Sequence, residues 1–320
     1  MSKIKLFSAF LLLIAPAFTH AQNTADQKKA ILPVTDSNSS LTDISLSEVA
    51  IAAKGRKLPN IQQVSVRAPG DIKIDGSSAE WNNTFKAFNT ATDVFYTLSN
   101  DDDNLYLIVK VTDPRTIFKI IESDIAFTVN PTGKKSRDNK NNMVFTYPLL
   151  DSNIRPRIVI NAGLNVKPNI NIGVRQGIQI DKYYSGFPPA TDSMKAIANK
   201  LFAKNATEIK VKGIGEIPDT LLSVYNEKGI RVAATINQKG AYTYELAIPL
   251  KHLGISVENN PKFSYSIRLD AATKIGIHFG MSIRAEPLPG QKPSGAPFIY
   301  TNEDLLTTTD LWGDYTLIKK

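Results

Sequence analysis

The stretch NLYLIVKVT, residues 104–112, decides the fold class. One face of this run collects the apolar side chains of Leu105, Leu107, Val109 and Val111. Successive side chains of a β-strand point to opposite sides of the sheet, so a period of two predicts a strand with one face toward a core.

Further β-rich runs follow on both sides of this stretch. They occupy residues 93–99, 125–130, 143–150, 157–163, 231–237, 243–250, 263–270, 275–283 and 314–319. Turn residues such as the Asn-Pro-Thr-Gly sequence at 130–133 bound them. Many short strands with few helices between them predict an all-β fold, an antiparallel sandwich rather than a sheet of βαβ units.

One segment departs from this pattern. ATDSMKAIANKLFAKN, residues 190–205, has its apolar side chains at helical spacing, and Thr191 or Asp192 is placed to cap the helix start. The segment sits in a long excursion between strands, about residues 164–228. Excursions from a sandwich often carry function.

The amino terminus has the pattern of a signal peptide. Lys3 and Lys5 precede an apolar run at 6–18 that is too short to span a bilayer, and small residues then precede Gln22. We expect a signal peptide over 1–21, a flexible polar spacer over 22–61 and the sandwich over 62–320. An N-terminal membrane anchor is the alternative. After cleavage no transmembrane segment is expected, and the chain would be periplasmic, outer-membrane-associated or secreted.

Composition excludes several classes of site. The 320 residues contain no Cys, which excludes disulfides, a thiolate nucleophile and a Cys-based zinc site. The formal net charge is +8, but the positive charges are scattered, and the densest patch, at 133–142, is expected to be a solvated hairpin loop. We therefore expect no nucleic-acid partner. A weak attraction to acidic glycans or to an anionic membrane surface stays open.

Four motifs in order resemble one family. They are IKIDGSSAEW (72–81), DDDNLYLIVKVTD (101–113), YTYELAIPLKHLGI (242–255) and LWGDYTLIKK (311–320). Together they are similar to the family 9 carbohydrate-binding modules and their DOMON-like relatives, over about residues 66–320. The resemblance implies a jelly-roll β-sandwich, sugar recognition and, in some members, bound calcium.

The resemblance also implies a framework role for the residues in these motifs. In the family, the positions that match Glu80 and Trp81 hold the sandwich together, and Glu245 and Trp312 lie in the other framework motifs. The residues themselves agree, because Trp81 would bury a large aromatic surface and its indole N–H would need an acceptor. Glu80 is expected to accept backbone N–H bonds where the chain enters the core.

Candidate sugar-binding residues are Tyr and Phe. The family's tryptophan clamp is missing, since the chain has only two Trp residues and both lie in framework motifs. The aromatic side chains of two other loops are the candidates, unless they pack the excursion onto the sandwich: Tyr183, Tyr184 and Phe187 in one loop, and Phe298 and Tyr300 in the other.

An acidic turn is the candidate calcium site. Calcium prefers several oxygen ligands from carboxylates and carbonyls. The candidate ligands are three consecutive carboxylates in NDDDN (100–104) and two outside it: Asp101, Asp102, Asp103, Asp75 and Asp113. A solvated turn without metal is the alternative.

Catalysis has little support in the sequence. Only His252 and His278 follow the leader, and no nucleophile-elbow, zinc-protease or phosphate-loop motif occurs. We therefore expect an exported, non-enzymatic protein that binds oligosaccharides or polysaccharides. The alternative is a structural or assembly component of the cell envelope that binds envelope proteins through the sandwich.

Overall fold

The period-two runs form strands in the computed structural model, which describes residues 58–164, 190–259, 262–272 and 303–320. The strands are β1 Ala87–Asn89, β2 Val94–Asn100, β3 Asn104–Val111, β4 Ile125–Asn130, β5 Met143–Tyr147, β6 Glu208–Lys212, β7 Thr220–Ser223, β8 Arg231–Ile236, β9 Tyr242–Pro249, β10 Lys262–Leu269 and β11 Thr309–Thr316. The helices are α1 Pro114–Glu122, α2 Arg155–Ala162, α3 Asp192–Asn205, α4 Leu250–Leu253 and α5 Glu303–Leu306.

These strands pair into two antiparallel sheets. The five-stranded sheet has the order β1-β2-β3-β9-β8, and the six-stranded sheet has the order β11-β10-β4-β5-β6-β7. The pairings of β3 with β9 and of β4 with β10 join segments that are far apart in the chain. The predicted antiparallel β-sandwich is confirmed.

The inner faces of both sheets share one hydrophobic core. Leu105, Leu107 and Val109 are buried in it, as their alternation predicts. Across the core, the hydroxyl groups of Tyr96 in β2 and Tyr265 in β10 lie 3.0 Å apart and form a hydrogen bond. Because a buried hydroxyl needs a partner, this bond pairs one sheet with the other at a fixed position.

The helix predicted in the excursion is present as α3. Thr191 caps its start, since its hydroxyl oxygen accepts a 3.2 Å hydrogen bond from the backbone N–H of Met194. Ala198 and Phe202 lie on its buried face, as expected of helical spacing. The excursion also contains β6 and β7, which extend the six-stranded sheet and were not predicted as strands.

Two helices differ from the sequence prediction. The run at 157–163 was expected to be a strand but lies in α2, because Pro156 suits a first helical turn and Gly163 ends the helix in a left-handed conformation. Helix α1 was not predicted. It begins after Asp113, whose carboxylate accepts hydrogen bonds from the N–H groups of Arg115 and Thr116. The predicted strand at 275–283 lies outside the described residues.

Candidate functional site

Residues 71–85 cover the outer face of the five-stranded sheet. Trp81 packs with Phe85 against Ile108, which points away from the core side chains that flank it in β3. Trp81 is 6% exposed, so its predicted burial is confirmed. Its indole Nε1 donates a 2.9 Å hydrogen bond to Oε1 of Glu245 in β9. Trp81 thus anchors this segment to the outside of one sheet.

Glu245 is the carboxylate that organises this anchor. It is fully buried, and its Oε2 accepts hydrogen bonds from the backbone N–H groups of Asp75, at 3.0 Å, and Gly76, at 2.9 Å. Burial raises the pKa of Glu245, and the N–H donors act in the opposite direction. The turn also requires glycine, since a Cβ on Gly76 would lie 2.8 Å from Cγ2 of Thr235 at a φ of +82°.

Glu80 does not have the contacts that the sequence analysis expected. The N–H groups of the Asp75-Gly76 turn donate to Glu245, and Oε2 of Glu80 is buried without a hydrogen-bond partner in the described part of the chain. The expectation was wrong because sequence adjacency placed Glu80 beside Trp81, whereas the fold brings a carboxylate from a distant strand to the same indole.

The acidic turn before β3 is held by its own side chains. Oδ1 of Asp101 accepts hydrogen bonds from the N–H groups of Asp103 and Asn104, and Oδ2 accepts one of 2.7 Å from the hydroxyl of Tyr106. Asp102 forms a 2.7 Å ion pair with Arg67. These contacts close the turn and offset part of the repulsion between neighbouring carboxylates.

The other two candidate calcium ligands also make local contacts. Asp113 caps α1, and Oδ1 of Asp75 accepts a 2.8 Å hydrogen bond from the N–H of Ser77. Within the described ranges, no group of three or more His, Asp or Glu side chains is placed to hold a metal ion. The calcium site stays a prediction, and the contacts of these carboxylates favour the alternative of a solvated turn.

The five predicted aromatic candidates lie outside the described residues. They are Tyr183, Tyr184, Phe187, Phe298 and Tyr300. Their role in ligand binding stays a prediction.

A cleft of about 380 Å³ lies along β11, the first strand in the order of the six-stranded sheet. Residues 61–65 form part of its wall, and Trp312 and Asp314 line it from β11. Both side chains are partly exposed, whereas Leu311 and Tyr315 of the same strand are buried. The cleft therefore has an aromatic side chain and a carboxylate on one outward face of a strand.

The position of Trp312 is set by its neighbours. A Cβ on Gly313 would lie 2.4 Å from the ring of Tyr265, so glycine lets that ring pass under β11 on the core side. Trp312 then points outward, and its Nε1 donates a 3.2 Å hydrogen bond to Oδ2 of Asp310. The indole is thus oriented by the strand below it and by one carboxylate beside it.

Two lysines converge on Asp314 in the cleft. The Nζ atoms of Lys135 and Lys262 lie 3.0 Å and 3.2 Å from the same oxygen, Oδ2 of Asp314. Their side chains are 42% and 67% exposed, so both ammonium groups reach solvent. Gln63 adds an exposed amide to the same cleft. The cleft offers both donors and acceptors to a polar ligand.

The basic loop at 133–142 helps to build this cleft. Nε of Arg137 lies 2.8 Å from Oδ2 of Asp310, and the hydroxyl of Ser264 donates a 2.9 Å hydrogen bond to the carbonyl of Lys134. The loop connects the antiparallel strands β4 and β5 and most of its side chains are exposed, so the predicted solvated hairpin loop is confirmed. It also folds back onto β10 and β11. Ion pairs of Lys135 and Arg137 with the acidic side chains of β11 hold the loop there.

Sequence reasoning missed this cleft because it treated Trp312 only as a framework residue. The final strand was expected at 314–319, but β11 begins at Thr309. The signal was present in the alternation at 311–315, where apolar or small residues alternate with Trp312 and Asp314. An earlier strand start would have placed Trp312 and Asp314 on the same outward face.

Comparisons with known proteins leave the chain without an assigned family. No protein-family model matches it, and no curated protein does. Among solved structures, it is similar to a family 9 carbohydrate-binding module from Caldicellulosiruptor kristjanssonii in complex with glucose, with a TM-score of 0.34 and 10% sequence identity. That likeness covers 80% of this chain and 96% of the other. The β-sandwich assignment rests on the strand pairing described above.

Among the described residues, no helix is long and apolar enough to cross a membrane.

Proposed function

We propose that the chain is an exported, non-enzymatic protein that binds oligosaccharides or polysaccharides. The observation that carries this proposal is the partly exposed Trp312 in an open cleft beside Asp314, Lys135 and Lys262. The four motifs that resemble family 9 carbohydrate-binding modules support the same class of function.

The chemistry of the cleft suits a sugar ring. An indole offers a flat apolar surface on which the C–H face of a pyranose can pack. Sugar hydroxyls both donate and accept hydrogen bonds, so they fit a cleft that presents carboxylate acceptors with ammonium and amide donors. Because Trp312 is oriented by Gly313 and Asp310, little ordering is required when a ligand binds.

The arrangement of carboxylates supports a binding role rather than hydrolysis. Asp310 and Asp314 are four residues apart on one strand, so their Cα atoms are separated by about 13 Å. Glycosidases place a pair of carboxyl groups on either side of the scissile bond, whereas these two project from the same face of a single strand. Each of these two carboxylates also forms an ion pair with a cationic side chain.

Titration calorimetry on residues 22–320 against plant, algal and bacterial glycans tests the proposal. We expect one class to bind, and we expect Trp312→Ala to weaken binding by about tenfold or more through the lost aromatic contact. Tyr225→Ala is the matched control, because Tyr225 is an 82% exposed aromatic residue just after the edge strand β7. No binding to any glycan at millimolar concentration would contradict the proposal.

A fold control keeps this test interpretable. Trp312→Ala and the unmutated chain should have similar melting temperatures, because Trp312 is on the outer face and its loss opens no core cavity. If the variant melts much earlier, Trp312→Gln tests the aromatic contact with a side chain of intermediate size. Unchanged affinity in a folded variant would remove Trp312 from the site.

Export is tested separately. Mass spectrometry of the protein from its native host should find an amino terminus at Gln22 and no residues from the leader. The chain would then be in the periplasm, at the outer membrane or in the medium, and fractionation would distinguish these locations. Retention of residues 1–21 in a membrane fraction would favour the anchor instead.

A second candidate function is protein binding in the cell envelope. The observation that favours it is β7, which in the described part of the chain pairs only with β6 and carries the 50% exposed Leu221. An edge strand offers unpaired backbone groups to another chain. Pull-down from envelope extracts with Leu221→Asp as control distinguishes this role from glycan binding, because the variant leaves the Trp312 cleft intact.

A further inference from the structure

We propose that the Trp312 cleft selects acidic saccharides, those with uronate carboxylates, over neutral ones. This inference rests on the proposed function and names the ligand class of the same site. Its basis is the charge of the cleft wall.

The lining side chains of the cleft carry an excess of positive charge. Lys135 and Lys262 contribute two charges, Asp314 contributes one of opposite sign, and the sum is +1. Both ammonium groups contact the same carboxylate oxygen, at 3.0 Å and 3.2 Å. One carboxylate cannot neutralise two cations, so the wall retains a net attraction for an anion.

The neighbouring charges do not remove this excess. Asp310 is engaged by Arg137 at 2.8 Å, so this pair is neutral overall. Burial acts to raise the pKa of Asp314, but Lys135 and Lys262 together outweigh it and hold the pKa below its ordinary value. Asp314 is therefore ionised at neutral pH, and the cleft wall has a charge of +1 there. Without Lys3 and Lys5 of the leader, the formal net charge of +8 falls to +6 for residues 22–320, which adds a long-range attraction of the same sign.

The geometry allows one ligand to use both features. Trp312 and Asp314 are two residues apart on the same face of β11, so their Cα atoms lie about 7 Å apart. In the sheet register, Lys262 of β10 lies opposite Thr316, next along that face from Asp314. A sugar packed on Trp312 would therefore place a carboxylate of the same or the adjoining ring near the two ammonium groups. Ammonium–carboxylate hydrogen bonds are stronger than those to a neutral hydroxyl.

Matched pairs of saccharides separate charge from shape. The probes are hexamers of galacturonate, mannuronate and glucuronate, each compared with the same hexamer after reduction of its carboxyl groups to alcohols. Calorimetry uses residues 22–320 at low and at near-physiological salt. At least one acidic hexamer should bind about tenfold more tightly than its neutral partner, and its affinity should fall as salt rises.

Lysine variants assign the selectivity to the cleft. Lys262→Gln and Lys135→Gln should each weaken binding of the acidic hexamer by about tenfold, the loss expected for one charge-assisted hydrogen bond, and leave the neutral hexamer unchanged. Lys210→Gln is the matched control, because Lys210 is an exposed lysine of β6, and β6 lies four strands from β11 in the same sheet. Lys210→Gln should bind like the unmutated chain.

Each remaining outcome has a definite meaning. Equal affinity for an acidic hexamer and its neutral partner would overturn the acidic selectivity and leave the proposed function standing, and so would binding of neutral hexamers alone. Failure of all the hexamers and of the wider glycan panel would overturn both. Polyglutamate of matched charge controls for non-specific attraction, and binding of polyglutamate as tight as that of the best uronate would overturn the saccharide selectivity proposed here.

Discussion

The indole Nε1 of Trp81 donates a 2.9 Å hydrogen bond to Oε1 of Glu245, which lies 164 residues further along the chain. The same carboxylate accepts two backbone N–H groups from the turn that precedes Trp81. One buried side chain of β9 thus holds the segment that enters the sandwich. Trp81 and Glu245 are within reach of each other only once β9 has paired with β3.

Removing the buried carboxylate of Glu245 should destabilise the protein more than removing an exposed carboxylate. Glu245→Ala leaves three N–H donors without this acceptor, two of which, on Gly76 and Trp81, are buried, and each buried donor costs about 1–3 kcal/mol. We expect the free energy of unfolding to fall by about 3 kcal/mol or more in urea denaturation. Glu208→Ala, at an exposed strand position of β6, is the control and should change stability little. Equal stability of the two variants would contradict the role of Glu245.

Removing the indole should also lower stability. Trp81→Ala deletes a side chain that is 94% buried and leaves a cavity beside Phe85 and Ile108, so we expect a loss of about 3 kcal/mol or more. Trp81→Phe retains part of the packing but not the hydrogen bond, and its loss should be smaller. A thermal melt of Trp81→Ala close to that of the unmutated chain would reopen Trp81 as a ligand-binding residue.

Alanine substitutions at two glycines distinguish the cost of backbone strain from the cost of a steric clash. Gly76 and Gly240 have φ values of +82° and +81°, but a Cβ on Gly76 would approach Thr235 to 2.8 Å whereas a Cβ on Gly240 would meet nothing within 4 Å. Gly240→Ala should cost about 1–2 kcal/mol from strain alone. Gly76→Ala should cost about 1–3 kcal/mol more because the turn must move off β8. Similar melting temperatures for the two variants would show that the turn tolerates this movement.

Acid should weaken the contact between the basic loop and β11. The hydrogen bond from Arg137 holds the pKa of Asp310 below its ordinary value of 3.8. A depressed pKa in the folded state gives stability that is present above the unfolded value and is lost as pH falls through the folded value. The difference in unfolding free energy between the unmutated chain and Asp310→Asn should therefore shrink as pH falls below 3.8.

The partner of Asp310 supplies the control for this pH dependence. Arg137→Gln should remove the same pH-dependent part of the unfolding free energy. The double variant Arg137→Gln with Asp310→Asn should show the same pH dependence as Arg137→Gln alone. Urea titrations at several pH values below neutral measure both effects. A difference that stays constant as pH falls would show that the ion pair does not contribute.

Calcium should leave the melting temperature unchanged. Asp101, Asp102 and Asp113 already bind protein donors, so a metal would have to displace those contacts. Melting with calcium and then with excess EGTA compares the two states. A bound ion at a hundredfold excess over its dissociation constant would add about 2.7 kcal/mol, which is a shift of a few degrees. Such a shift, abolished by Asp102→Asn but not by Asp192→Asn, would confirm the calcium site.

The sequence by itself determined the fold class and most of its strands. The alternation of Leu105, Leu107 and Val109 is a local property of the chain, and so is the run that forms β4 at the predicted bounds, Ile125–Asn130. Side-chain period follows from backbone geometry, so such strands can be predicted without knowledge of their partners. The burial of Trp81 followed from its size and from its place in the first of the four motifs.

The tertiary structure alone decided which carboxylate accepts the hydrogen bond of Trp81 and where the cleft beside Trp312 lies. Glu80 is the neighbour of Trp81 in sequence, but Glu245 reaches the indole because β3 pairs with β9. Lys135 and Asp314 are 179 residues apart in the chain. They come into contact because the basic loop folds back over β10 and β11. Hydrogen bonds and ion pairs act over a few ångströms in space, and distances in space between remote residues arise only when the sheets assemble.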